Sequence, residues 1–60
     1  MSNLPFDVGD RVINLTAELH DWPDKKGVVA KVDGGQFLVR YDDSGNERWK
    51  QYINLRLSNA

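Results

Sequence analysis

An all-β fold of five short strands, curled into a small barrel, is what this sequence predicts. Three observations lead there. Val28, Ala30 and Val32 alternate with Val29 and Lys31, and Phe37, Val39 and Tyr41 alternate with Leu38 and Arg40. Alternation with a period of two marks a half-buried antiparallel strand. Between these runs Asp33-Gly34-Gly35 reach positive φ at little cost, as a hairpin turn requires. Finally, turn-forming clusters recur at short intervals along a chain of only 60 residues, which leaves room for one core and no second domain.

The elements follow in order. Residues 1–5 read as a flexible polar tail, and residues 6–58 as the domain. Phe6 and Val8 lead into a Gly9-Asp10 turn, after which Arg11 to Leu15 forms the first strand. Its inward face is ambiguous, because Val12 and Asn14 share one side while Ile13 and Leu15 share the other. A bulge or bend at the strand end would reconcile them. Thr16 to Lys26 is a long polar loop in which Ala17 to His20 suits one helical turn, and Pro23 stops anything longer.

The hairpin supplies strands two and three. Asp42-Asp43-Ser44-Gly45-Asn46 is a dense set of turn formers. Glu47 to Tyr52 makes the fourth strand, with Trp49 and Gln51 on one face and Arg48, Lys50 and Tyr52 on the other. Ile53-Asn54 suits a 3₁₀ turn, and Leu55 to Leu57 closes the fold before a short tail, 59–60. Barrel closure would protect the edges of such short strands.

Composition narrows the function. A chain this short buries only about 60% of the surface its unfolded form exposes, and with no cysteine it has neither disulfides nor a thiolate zinc site as a staple. Six aromatics, six valines and the leucines and isoleucines must build the core, or share it with another subunit. Eight basic against nine acidic residues, a net charge of -1 and a pI near 5.6 lack the basic excess typical of phosphate-binding domains. The N-terminus does not read as a secretory signal, and no run approaches a membrane span. A soluble, cytoplasmic protein without a membrane partner is the expectation.

Few residues suit catalysis. His20 is the single histidine, and its neighbours Glu18 and Asp21 make a solvated polar loop. Adjacent Asp42 and Asp43 point apart across a strand-to-turn junction and form no acid/base pair, and they lack the further oxygen ligands of a metal site. Gly34-Gly35 joins two strands with no helix behind it to present amides to an anion. No cofactor is expected, and no enzymatic activity.

The aromatics are the better candidates. Phe6, Phe37 and one of Tyr41 or Trp49 are needed for the core. Trp22 lies in an acidic loop beside Pro23, either as a lid on the core or as an exposed contact residue. If Tyr41, Trp49 and Trp22 meet at one end of the barrel with Asp42 or Asp43, the cluster suits a cation, each ring face being worth roughly 0.5–2 kcal/mol. Trp22, Tyr41, Asp42, Asp43 and Trp49 are therefore the expected partner-binding residues.

The spacing of GDRV (Gly9 to Val12), KGVVAKV (Lys26 to Val32), VRYDDSGNERW (Val39 to Trp49) and INLRL (Ile53 to Leu57) resembles the SH3-like barrel. The middle resembles Tudor-type modules and the front half KOW-type modules. The Tudor resemblance implies recognition of methylated lysine or arginine, and carries over only to Tyr41 and the acidic turn after it. A proline-rich peptide with basic flanks is another candidate ligand, although the ALYDY-type motif of signalling SH3 domains is missing. The KOW resemblance implies contact with RNA, for which Lys31 and Arg40 share the outer face of the hairpin. The layout is also similar to small SH3-like subunits of photosynthetic electron-transfer complexes, which implies docking of a redox protein. GDRV, a loop tryptophan and a late Gln-Tyr pair look like the plasmid-type dihydrofolate reductases, which build a pore from four chains; Gln51-Tyr52-Ile53 departs from their order. The leading expectation is a non-catalytic interaction module holding a protein or peptide, of cationic character, on an aromatic and acidic surface. A nucleic-acid-binding module ranks second, a redox-docking subunit third and a pore enzyme last.

Overall fold

Asn14 is the joint on which the front of the molecule turns. In the computed structural model, which describes residues 5–58, the first strand β1 spans Arg11–Asn14 and passes without a gap into helix α1, Leu15–His20. The expected tails, 1–5 and 59–60, lie outside the described residues except for Pro5, which is exposed. Leu15, expected in the strand, is instead the first helical residue. The Asn14 side-chain oxygen accepts from the backbone N–H groups of Thr16 (3.1 Å) and Ala17 (3.3 Å), satisfying two donors that a helix start leaves without partners. The helix is six residues long rather than a single turn. It ends at Asp21, whose φ of 55° is left-handed; Trp22 N–H then returns to the Ala17 carbonyl at 2.9 Å, and Pro23 follows where continuation is impossible.

Strands β2 (Lys26–Asp33) and β3 (Gln36–Tyr41) form the hairpin. Gly34 and Gly35 at its tip have φ of 56° and 94°, the two positive values of a type I′ turn. The fourth strand β4 spans Glu47–Gln51, one residue shorter than expected because Tyr52 belongs to the 3₁₀ turn Tyr52–Asn54; β5 is Leu55–Leu57. All five strands join one antiparallel sheet in the order β4-β3-β2-β1-β5.

The alternation in β2 is broken by a bulge. Val29 opposes Val39, but Lys31 opposes Leu38, so Ala30 is an extra residue. In unbroken alternation Lys31 would follow Val29 onto the core side. With the bulge, Val29 is buried, Lys31 is exposed and Val32 packs against the core. One inserted residue shifts the parity of everything after it. Gly27, paired with both Val12 and Tyr41, sits where the strands press closest: a Cβ there would lie 2.4 Å from the Arg40 carbonyl oxygen.

The core is Phe6, Val12, Val29, Phe37, Val39, Tyr41 and Leu55, with Phe6 edge-on to Phe37 at 5.3 Å between ring centres, a favoured aromatic geometry. Ile13 is buried outside that cluster. The ambiguity of β1 thus has a simple origin: Val12, Ile13 and Asn14 point alternately to its two sides and are all buried, so the strand is covered on both faces. The Cα radius of gyration, 10.5 Å, matches the value of about 10 Å for a compact chain this long.

Candidate functional site

Three segments meet around a cleft of about 210 Å³. The β1–α1 junction contributes Asn14, Thr16 and Ala17, the loop after α1 contributes Trp22, Pro23 and Asp24, and strands β3 and β4 contribute Tyr41, Arg48 and Lys50. Asn14 and Tyr41, both buried, form its polar floor. Trp22 is 53% exposed, its ring stacked on His20 with 4.5 Å between centres and 20° between planes. The helix end holds it there: the αL residue Asp21 and the Trp22–Ala17 hydrogen bond turn the chain back over the sheet. Trp22 is therefore a partly exposed ring on a stacked support.

Register decides which side chains of β4 reach the cleft. Phe37 opposes Lys50 and Val39 opposes Arg48, whereas Leu38 opposes Trp49. Opposed residues share a face, and Phe37 and Val39 are core residues. Arg48 and Lys50 thus lie on the core side of the sheet, at its edge, and Trp49 lies on the other side. Of the expected partner-binding set, Trp22 and Tyr41 come together. Trp49, 46% exposed, is turned away from them. Tyr41, at 2% exposure, is a floor residue rather than an open ring face.

The expected acidic members are engaged elsewhere. Asp42 forms an ion pair with Arg11, and its N–H donates to the Lys26 carbonyl at 2.9 Å. Asp43 is exposed in the turn, within electrostatic range of Lys25. The carboxylate that does line the cleft is Asp24, which accepts from Ser44 Oγ at 2.8 Å. Sequence patterning separates Arg48 and Lys50 from Trp49, but only the β3–β4 register tells which side faces the cleft.

Electrostatics add a further distinction. Arg11 pairs with Asp42, Lys25 with Asp21, Arg40 with Glu47 and Arg56 with Glu18. Arg48 and Lys50 have no such partner among the described residues. The Lys25–Asp21 hydrogen bond lowers the Asp21 carboxyl and raises the Lys25 ammonium from their ordinary values, although both are too exposed for this to carry much stability. Burial raises the Tyr41 phenol. The hydrogen bond from Asn14 opposes that, Asp24 adds to it and Arg48 works against it, so Asp24 and Arg48 are both felt at the floor of the cleft.

Among the described residues, no group of three histidine, aspartate or glutamate side chains is gathered to hold a metal, and no helix is long and apolar enough to cross a membrane. Compared with protein-family models, curated proteins and solved structures, the chain has no significant match.

Proposed function

We propose that this chain is a non-catalytic interaction module on an SH3-like barrel, docking a protein or peptide at the cleft beside Trp22. The barrel reading draws support from the strand order β4-β3-β2-β1-β5 and the 3₁₀ turn joining the last two strands. The long first connection beside the sheet and the β2 bulge, which sharpens twist, add to it. The observation that carries the functional reading is Trp22 itself, a large ring half exposed at the rim of a cleft with a buried polar floor. Aromatic rings in that setting dominate contact energies at interfaces. At about 210 Å³ the cleft is smaller than the roughly 300–1,000 Å³ of small-molecule and cofactor sites, and suits one side chain of a larger partner.

The nucleic-acid reading gains from Arg48 and Lys50 beside an aromatic ring. It loses because the other six cations include four held in ion pairs, and a phosphate backbone needs a longer basic track.

The test is capture from native cell extract by the immobilised chain and by its Trp22→Ala variant. The expected result is a protein retained by the parent and lost by the variant, with the melting temperature nearly unchanged. Equal capture by both would show that Trp22 makes no contact with the partner, and a fall of more than about 5 °C, which for a domain this size is on the order of 1 kcal/mol, would show it to be a structural lid; either overturns the reading.

A further inference from the structure

The cleft's polarity differs from that of an acidic aromatic cage. Asn14 Oδ1 accepts from two backbone N–H groups, which fixes the orientation of its amide, because only the oxygen can accept. Its Nδ2 therefore faces Tyr41 and donates to the phenol oxygen at 3.1 Å. With that oxygen serving as acceptor, the phenol's own hydrogen remains to be donated, and it has no acceptor among the described residues. Tyr41 is 2% exposed and lines the cleft. Arg48 and Lys50 add two unpaired cations on the same lining, two residues apart on one strand face and so about 7 Å apart at their Cα atoms. One carboxylate, Asp24, stands against them, and it already accepts from Ser44.

Resting on the proposed interaction module, we infer that the cleft accepts an acidic peptide segment: a partner's carboxylate between Arg48, Lys50 and the Tyr41 hydroxyl, and an adjacent apolar side chain against Trp22 and Pro23. A carboxylate is a group that charge-assisted donors of this kind hold strongly. The flat, half-exposed indole offers the apolar contact that a bare inorganic anion cannot use. The cleft's size admits a single carboxylate-bearing side chain, and the sequence-neighbouring residue of an extended peptide lies within reach of the rim. Charge complementarity thus selects an acidic segment over the methylated or basic ligand expected of an acidic cage.

The experiment is a titration of the isotope-labelled chain, followed by ¹H–¹⁵N NMR. The probes are acetyl-Leu-Glu-Glu-Leu-amide, its Gln-Gln and Lys-Lys counterparts, and a single-stranded oligothymidine. The acidic peptide is expected to shift the Trp22 indole N–H and the amides of Arg48 and Lys50 saturably, and the Gln-Gln peptide to bind about tenfold more weakly. The double variant Arg48→Gln, Lys50→Gln changes two exposed or half-buried positions and keeps the fold; it should lose about tenfold in affinity, the equivalent of one charge-assisted hydrogen bond. Saturable binding of the Lys-Lys peptide at these residues would overturn the acidic assignment and leave the interaction module standing. Tighter binding of oligothymidine at the same residues would overturn both. No shift at Trp22, Arg48 or Lys50 with any probe would overturn the acidic-peptide site alone, since capture from extract tests the module separately.

Discussion

Asn14 and Tyr41, 27 residues apart in sequence, are joined by a buried side-chain hydrogen bond of 3.1 Å, and the same asparagine caps α1. One side chain thereby ties the helix start, the interior strand β1 and the end of β3 into a single unit. It also sets the direction of the Tyr41 hydroxyl.

That double role makes Asn14→Ala costly. Loss of an N-cap costs about 0.5–2 kcal/mol, and a stranded buried hydroxyl adds about 1 kcal/mol or more. Urea denaturation should show a total near 2 kcal/mol. Tyr41→Phe should cost about 1 kcal/mol in the parent and much less in the Asn14→Ala background, a coupling of the kind a double-mutant cycle isolates. Simple additivity would mean the bond contributes nothing.

Gly27 and Gly34 should respond to substitution for different reasons. Gly27→Ala drives a Cβ against the Arg40 carbonyl oxygen and Val39, so β2 and β3 must separate. A loss of roughly 1–3 kcal/mol, in the range of overpacking costs, is expected from thermal or urea melts. Gly34 has open space around it but a φ of 56°. Gly34→Asn should therefore be nearly neutral, because asparagine tolerates that region, while Gly34→Val should cost about 1–2 kcal/mol. Equal effects of valine and asparagine would show that the turn is not type I′.

Alkaline stability should report on Tyr41. Burial raises its phenol above the ordinary 10.0, against the opposing Asn14 hydrogen bond, with Asp24 raising it and Arg48 lowering it. The folded chain then holds the proton to higher pH than the unfolded chain. Its contribution to stability is complete below pH 10 and is lost as pH rises through the folded-state value. Denaturation midpoints across that window should fall for the parent and flatten for Tyr41→Phe. An unchanged slope in the variant would assign the alkaline loss to other groups.

The exposed ion pairs should matter little. Arg40→Gln removes the contact with Glu47, made at 3.0 Å between exposed side chains. Such pairs are worth about 0–1 kcal/mol and are screened by salt. The melting temperature should move by no more than a few degrees, and less still at high salt. A larger loss would mean that the Arg40 stem, next to the Gly27 contact, carries packing as well.

Local chemistry along the chain determined much of this protein by itself. Two adjacent glycines after Asp33 dictate a tight turn, the alternation of Phe37, Val39 and Tyr41 dictates the inward face of β3, and Pro23 limits the helix. Each of these effects acts between residues close in sequence, so it is readable there. The position of Ala30 as a bulge, the burial of β1 on both faces and the passage of Leu15 into a helix were decided only when strands met. So were the separation of Trp49 from Trp22 and the arrival of Arg48 and Lys50 at the cleft. A slip of one residue in the β3–β4 register would exchange Trp49 with its basic neighbours. The expected pairing of rings with Asp42 and Asp43 dissolved for the same reason: Arg11 reaches Asp42 across 31 residues, a partnership no local pattern announces. Local preference set which elements form; packing across the sheet set which of their side chains share the site.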